Sequence, residues 1–296
     1  MAGKTINQDW PMLTQREQGQ LTRLTELGQQ DADERDVALV SQALAMCPLP
    51  FRRVKGNQVE RETRIPGGFL EVTFTCVKKK GTLAYGNDAL LLDLLCSEAR
   101  RTKSPEVTFK RAYELLELLG ITGDGGRDYA QLKDRLARIS TLHIHIERRG
   151  EVAVNLRVVE VQNLRTPSRK DIAKEKAGEH PIIPYAIRLA PEFFADLMKY
   201  YVPIPNEVLL AFKGNPTEYS IVKFIVHRVR VASGESLIGW DDFLMERGSA
   251  DSNLDRFKLK VRNTLVKLQV VWPELAQVIQ KERKGLRIGR AKGALA

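Results

Sequence analysis

The chain has 296 residues, 43% of them hydrophobic and 28% charged, with a formal net charge of +10 and an isoelectric point near 9.5. This composition excludes a disordered chain, because there are enough apolar residues to bury a core, and the length favours about two domains. No run of about 18 apolar residues predicts a membrane span, and residues 1–11 lack the pattern of a signal peptide. The three cysteines form no CxxC pair, which argues against a disulfide framework or zinc finger and favours the reducing cytoplasm.

The charge is unevenly distributed along the chain. Residues 252–296 hold 11 basic and 3 acidic side chains, whereas residues 1–50 hold 4 basic and 7 acidic ones. A basic segment of this kind is typical of a protein that binds a polyanion such as DNA. A solvated basic tail would have the same composition, so the charge by itself leaves both interpretations open.

The N-terminal residues predict a mostly helical extension. Apolar residues recur every three or four positions over residues 14–46, which indicates one or two amphipathic helices. A basic segment without clear periodicity follows at residues 51–61. We therefore predict a helical and basic N-terminal extension over residues 1–63.

The rest of the chain contains one pattern of elements twice. The first copy covers residues 64–165. Its predicted elements are a strand at 69–77, helices at 88–102, 112–119 and 127–140, and hairpin strands at 142–148 and 151–161. A polar linker or long loop at 166–183 precedes the second copy, residues 184–296. Its predicted elements are a strand at 185–189, helices at 191–199, 218–231, 240–246 and 252–268, and hairpin strands at 276–280 and 286–290.

The order of strand, helix, helix–turn–helix and hairpin is typical of a winged helix. Its repetition about 130 residues later strengthens that interpretation of either copy. The predicted fold class is therefore α+β, with two tandem winged-helix domains after the helical N-terminal extension.

The predicted helix 252–268 has the two faces that a recognition helix needs. Five apolar residues, spaced to lie on one side, form a stripe for the core. The DNA-binding residues predicted on its other sides are Arg256, Lys258, Lys260, Arg262, Asn263 and Lys267. Arginine can pair with guanine and asparagine with adenine, while lysine neutralises phosphate. An ordinary basic surface helix is the alternative, although Asp255 is its one acidic residue.

Two further sets of cations are predicted to contact DNA. In the second copy, the predicted hairpin turn and the strand after it carry Lys281, Arg283, Lys284 and Arg287, which would bind phosphate from a wing. In the first copy, helix 127–140 carries Lys133, Arg135 and Arg138. The alternatives are a solvated turn for the hairpin, and a protein interface for the helix, where two aspartates dilute the charge.

Motifs of common catalytic sites are absent from the sequence. There is no G-x-x-x-x-G-K-[ST], G-x-S-x-G, HExxH or EF-hand pattern, so we expect no enzyme activity, no cofactor and no metal. One pattern leaves an alternative open. His143 and His145 match the His-hydrophobic-His motif of metal-dependent nicking enzymes, for which Tyr200, Tyr201 or Tyr219 would be the nucleophile.

Short motifs in a consistent order resemble a known family. They are Arg64-Ile-Pro-Gly-Gly-Phe-Leu-Glu-Val-Thr-Phe74, Tyr85-Gly-Asn, Cys-Ser-Glu-Ala-Arg-Arg-Thr-Lys103, Arg188-Leu-Ala-Pro-Glu-Phe-Phe194, Val202-Pro-Ile-Pro205, Ile238-Gly-Trp-Asp-Asp-Phe243, Phe257-Lys-Leu-Lys-Val-Arg262 and Val271-Trp-Pro-Glu274. Together they are similar to the plasmid-encoded RepA replication initiators, over roughly residues 64–280.

This resemblance implies an initiator that binds repeated sequences (iterons) in a plasmid origin as double-stranded DNA. It implies that the protein promotes local melting and recruits host helicase and initiation factors in the bacterial cytoplasm. A homodimer in equilibrium with monomer is a further implication. A winged-helix transcriptional repressor is the alternative that the sequence leaves open.

Overall fold

A computed structural model describes residues 37–290, except 66–67, 79–80, 110–113, 117–118, 120, 122–125, 149–150, 152, 164–172, 175–176, 178, 180–184 and 248–252. The predictions for residues 1–36 lie outside the described residues. So do most of those for residues 110–125 and 164–184.

The described chain combines helices with antiparallel sheets and is therefore an α+β protein. The strands are β1 (Val37–Ser41), β2 (Gln58–Ile65), β3 (Gly68–Cys76), β4 (Glu106–Phe109), β5 (Leu142–Arg148), β6 (Val154–Arg157), β7 (Val159–Asn163), β8 (Tyr185–Leu189), β9 (Tyr201–Pro205), β10 (Ser236–Gly239), β11 (Ile279–Lys281) and β12 (Gly285–Ile288). The helices are α1 (Gln42–Met46), α2 (Asp88–Arg101), α3 (Gly126–Ser140), α4 (Pro191–Lys199), α5 (Asn206–Ala211), α6 (Pro216–Val231), α7 (Trp240–Glu246), α8 (Leu254–Val271) and α9 (Pro273–Ala276).

Four strands form an antiparallel sheet in the order β2-β3-β5-β6. Leu70, Val72 and Phe74 of β3 are buried, and the residues between them lie on the opposite face, as the alternation predicted. Strand β2 was not predicted. Its residues show no clean alternation, but it pairs with β3 along its whole length.

Residues 37–41 form strand β1, so the helix predicted there is wrong. Ala38 and Val40 are buried, and the strand pairs with β9 from Val37 opposite Pro205 onwards. Valine suits a strand as well as a helix, so the local spacing was ambiguous, and the distant partner strand decided the conformation. The described residues 37–63 thus contain β1, the five-residue α1 and most of β2. The prediction of a mostly helical extension is therefore wrong for this part.

Two small sheets join segments that we assigned to different domains. Strand β8 lies between β4 and β7, and β1 of the N-terminal extension pairs with β9. These pairings cross the predicted boundaries near residues 64 and 184. The division of the chain into domains stays a prediction, but its segments are tied together by sheet hydrogen bonds.

The C-terminal part has the element order α6, β10, α7, α8, α9, β11, β12, with a sheet in the order β10-β12-β11. Helix α7 has the predicted bounds. Helix α6 begins at Pro216, two residues before its predicted start, because the Asn215 side chain accepts hydrogen bonds from the backbone N–H groups of Thr217 and Glu218. The first hairpin strand begins three residues later than predicted, since α9 occupies residues 273–276, and the second has four residues instead of five.

A buried polar contact joins α2 to α6. Lys223 Nζ lies 2.6 Å from Asp93 Oδ2, and the Tyr219 hydroxyl donates to the same oxygen at 2.8 Å. The side chains of Lys223 and Asp93 are almost completely buried. Because an isolated buried charge is very costly, each charge is stable there only with its partner.

Arg247, which follows α7, is completely buried. Its guanidinium donates to the backbone carbonyls of Ala45 and Met46 and to the Ser220 hydroxyl, and it lies 4.0 Å from the centre of the Phe224 ring. Burial lowers the pKa of Arg247 to about 10, so the group stays charged at neutral pH. The end of α7 is thereby fastened to α1 and α6.

Each of the three cysteines is buried, and none forms a disulfide. Burial raises the pKa of the Cys47 thiol to about 12. Cys76 and Cys96 thus act as small core residues.

The buried His227 is expected to make the protein less stable in mild acid. The Gln42 side-chain amide donates to its Nε2 at 2.8 Å, which requires neutral imidazole. The pKa of His227 is lowered to about 4, mainly by burial and further by the positive charges of Arg228, Arg230 and Arg247. Between about pH 6.5 and 4 the unfolded chain therefore binds a proton that the folded chain excludes, so stability falls by about 3 kcal/mol as the pH is lowered through this range.

Urea unfolding from pH 7.5 to 4.5 measures this effect. The variant His227→Gln should lose most of the pH dependence that this residue contributes. An identical pH profile for the variant and the wild type would contradict the assignment.

Candidate nucleic-acid interface

Helix α8 begins with a side-chain cap and is held by an aromatic cluster. Asn253 Oδ1 accepts hydrogen bonds from the N–H groups of Asp255 and Arg256, at 3.0 and 3.1 Å. Phe257 packs edge-on against Phe243 with ring centres 5.3 Å apart, and Phe243 stacks on Phe224 of α6. The predicted apolar stripe is thus largely the buried face of α8 and places this helix against α6 and α7.

The outward face of α8 is centred on an apolar residue that sequence reasoning missed. At 100° per residue, Leu259 lies opposite the buried Phe257 and Val261, and it is 49% exposed. Arg262 and Asn263 lie beside it and are partly exposed. The sequence contains a signal for this exposed leucine. Leu259 lies outside the apolar stripe and among the basic residues of the helix, so it could not belong to the core face.

The predicted cations of α8 differ in their contacts. Lys267 Nζ lies 2.8 Å from Glu218 Oε2, and both side chains are largely buried, so this lysine holds α8 to the first turn of α6. Lys258 lies 3.8 Å from the exposed Asp255, a loose surface pair. Arg256 is exposed, whereas Lys260 is partly exposed. DNA contact by any of these residues stays a prediction.

The end of β11 and the turn to β12 present Lys281, Arg283 and Lys284 to solvent. The N–H of Glu282 donates to the carbonyl of Gly285 at 2.9 Å, closing the turn, and a side chain at Gly285 would overlap the carbonyl oxygen of Ile238. Arg287 is different from the three exposed cations, because its guanidinium contacts both Glu282 and Glu235.

Helix α3 of the first copy presents less free charge than its sequence suggested. Arg138 makes a two-pronged hydrogen bond to the buried Asp88, with distances of 2.6 and 2.9 Å, which raises the pKa of Arg138. Its guanidinium also lies 4.9 Å from the Tyr85 ring centre. Lys133 is exposed and Arg135 is partly buried. Arg138 thus has a structural partner, while the other two remain candidates for an external ligand.

The two histidines of the nicking alternative lie on the polar face of the β2-β3-β5-β6 sheet. The ring nitrogens of His145 lie 2.7 Å from Asn155 Oδ1 and 3.1 Å from Glu147 Oε1, and these hydrogen bonds raise the pKa of His145. No cluster of three or more His, Cys, Asp or Glu residues that could hold a metal occurs in the described part of the chain.

The tyrosines proposed for nicking have other contacts. Tyr219 is buried on Asp93, and the Tyr200 hydroxyl donates to Glu151 Oε1 at 2.7 Å. Tyr201 lies under the Arg100 guanidinium, 3.4 Å from its ring centre.

Comparison with known proteins identifies the fold. No model of a protein family matches the chain, and no curated protein matches its sequence. Two crystal structures of domains 2 and 3 of RctB do match, with TM-scores of 0.51 and 0.50 at 12% and 13% identity. The alignments cover 86% and 83% of this chain, and 97% and 96% of the RctB chains. The chain has the fold of these two RctB domains.

This likeness shows the fold alone and does not place the chain in the RepA family. Among the described residues, no helix is both long and apolar enough to cross a membrane.

Proposed function

We propose that this protein is a replication initiator that binds repeated sequences in the double-stranded DNA of a plasmid origin. It would promote local melting there and recruit the host helicase and initiation factors in the bacterial cytoplasm, with a homodimer in equilibrium with monomer. The observation that carries the proposal is the outward face of α8, which presents Arg256, Arg262 and Asn263 beside a wing with three exposed cations.

The arrangement around α8 supports a winged helix. In the order α6, β10, α7, α8, α9, β11, β12, the last two strands form a hairpin that pairs with β10 through β12. In such a domain the second helix of the helix–turn–helix enters the major groove, and the wing lies along the backbone. RctB is a replication initiator, which supports the same role for a chain of similar fold.

Each part of this surface would have a separate task. Arg262 can read a guanine edge, and Leu259 beside it can contact a thymine methyl group. Oδ1 of Asn263 is buried, so this residue would contact adenine through its amide nitrogen alone. Lys281, Arg283 and Lys284 of the wing would neutralise phosphates without reading sequence. In this proposal the chain catalyses no step itself.

Selection from a random duplex library with the full chain tests specific binding. The selected duplex should bind at least about 10³-fold more tightly than a shuffled duplex of equal composition at physiological salt. Weak and equal binding that disappears with salt would contradict the proposal. Direct repeats beside an AT-rich segment that becomes permanganate-reactive would favour an initiator. A single palindrome without melting would favour the repressor.

Leu259→Ala should lose affinity only where a thymine methyl is present. Replacing the contacted thymine by deoxyuridine should weaken wild-type binding about fourfold, because one buried methyl group contributes about 0.8 kcal/mol. The same replacement should not affect the variant. Lys284→Ala is the matched control, since it should weaken thymine and deoxyuridine duplexes equally. A wild type indifferent to every thymine methyl would remove Leu259 from the contact.

Incubation of supercoiled selected DNA with Mg²⁺ or Mn²⁺ tests the nicking alternative. The proposal expects no open circular DNA above background. Open circles that His145→Ala abolishes would establish the alternative instead.

A further inference from the structure

A cleft of about 410 Å³ lies between residues 51–138 in the first half of the chain and residues 214–216 in the second half. Its walls come from the loop after α1, the turn before α2, the polar side of α3 and the turn before α6. The residues that line it are Phe51, Tyr85, Gly86, Asn87, Asp88, Gln131, Asp134, Arg135, Arg138, Gly214 and Pro216. The cleft therefore depends on both halves of the chain.

The wall of the cleft contains a cation without a structural partner. Among the residues that the structure describes, none makes a hydrogen bond or ion pair with the guanidinium of Arg135. Asp88, the carboxylate that interacts with Arg135 electrostatically, is already engaged by Arg138. Asp134 also lines the cleft, but it is an exposed residue. A partly buried arginine in a polar wall is a suitable ligand for an external anion.

Three more cations, Arg52, Arg53 and Lys55, are exposed on the loop at the rim of this cleft. The loop is anchored, because the Gly86 N–H donates to the Pro50 carbonyl at 2.8 Å and Phe51 itself lines the cleft. Gly86 has a φ of +59°, and a side chain there would lie 3.4 Å from the Phe51 carbonyl oxygen. This close approach favours glycine and keeps the cationic loop beside the cleft.

The basic flank of α8, formed by Arg256, Lys260 and Lys267, faces the side of the molecule on which the cleft lies. Lys267 contacts Glu218 in the first turn of α6, and Pro216 at the start of α6 lines the cleft. Arg256 and Lys260 precede Lys267 along the same flank of α8, by eleven and seven residues. A rod-shaped polyanion lying along this flank would therefore extend toward the cleft.

We propose that the cleft and its rim bind the phosphodiester backbone of the duplex that α8 engages, with Arg135 in the wall and Arg52 and Arg53 at the rim as the phosphate contacts. This inference rests on the proposed function and extends it, because it makes the junction of the two halves part of the DNA-binding surface. Contacts of this kind add affinity and set the path of the duplex without reading its sequence.

Salt titration of the full chain on the selected and shuffled duplexes tests the proposal. Arg135→Gln and the double variant Arg52→Gln/Arg53→Gln should each weaken both duplexes. Each should also reduce the slope of log K against log[salt], by about one unit for every phosphate that the variant no longer neutralises. Arg135→Lys should restore most of the slope, since it keeps the charge.

Lys103→Gln is the matched control. This exposed lysine lies just beyond the C-terminal end of α2, about 20 Å from the helix start that lines the cleft. It should leave the slope unchanged. An equal reduction in Lys103→Gln, or an unchanged slope in Arg135→Gln and in the loop variant, would overturn the proposal. ATP, as a free polyphosphate, should not displace the duplex. Displacement by ATP would instead assign the cleft to nucleotides.

The two proposals fail separately. A wild-type chain that does not prefer the selected duplex would overturn the proposed function. A chain that prefers it, but whose cleft variants keep the wild-type salt slope, would overturn only the assignment of the cleft.

Discussion

Replacing Lys223 with methionine is expected to lower the free energy of unfolding by about 3–5 kcal/mol, because the variant leaves the buried Asp93 carboxylate without its cation. Tyr219 would still donate to that carboxylate, but one neutral hydrogen bond does not replace an ammonium group in a dry site. Urea unfolding of the full chain at pH 7 measures the effect.

Two further variants show that the loss comes from the unpaired charge. Asp93→Asn/Lys223→Met removes both charges and should recover most of the stability. Lys258→Met, which breaks the surface pair with Asp255, should cost at most about 1 kcal/mol. If Lys223→Met cost no more than Lys258→Met, the contact between α2 and α6 would not depend on the ion pair.

Arg247→Met should cost about 3 kcal/mol or more, because it leaves the carbonyls of Ala45 and Met46 buried without a donor. The variant should also bind DNA more weakly than the wild type, although Arg247 is completely buried. This residue ties the end of α7 to α1 and α6, so its loss would allow α8, the next helix, to shift.

Arg262→Met is the control variant, because it should weaken DNA binding without lowering stability. This partly exposed arginine on α8 should change the urea midpoint little but should weaken binding to the selected duplex. Measuring both properties for both variants separates positioning of α8 from contact with DNA. Equal stability of Arg247→Met and the wild type would contradict the role of the buried guanidinium.

Elements with strong local signals were predicted well. Helix α4 has the predicted bounds, with Pro191 in its first turn, and α7 matches its predicted range completely. The apolar composition of residues 218–231 agrees with the burial of α6 on most sides, because a helix that is apolar all round can be covered only by protein.

Other elements depended on partners far away in the chain. Strand β1 was mistaken for a helix since its hydrogen bonds are made with β9, more than 150 residues later. Strand β8 was predicted as a strand, but its place between β4 and β7 could not be inferred from alternation, which shows which face is buried and not which strand lies alongside.

The candidate site was likewise predicted in part from local sequence and decided in part by distant contacts. The sequence by itself determined the basic C-terminal region and the two-sided character of the helix around residues 254–268, because both follow from local charge and periodicity. Only the tertiary structure decided which cations are available for contact with DNA. It placed Lys267 on Glu218, Arg138 on Asp88 and Arg287 between two glutamates, because ion pairs between distant residues form only when packing brings them together. It also exposed Leu259 and brought Arg135 into a cleft shared by both halves.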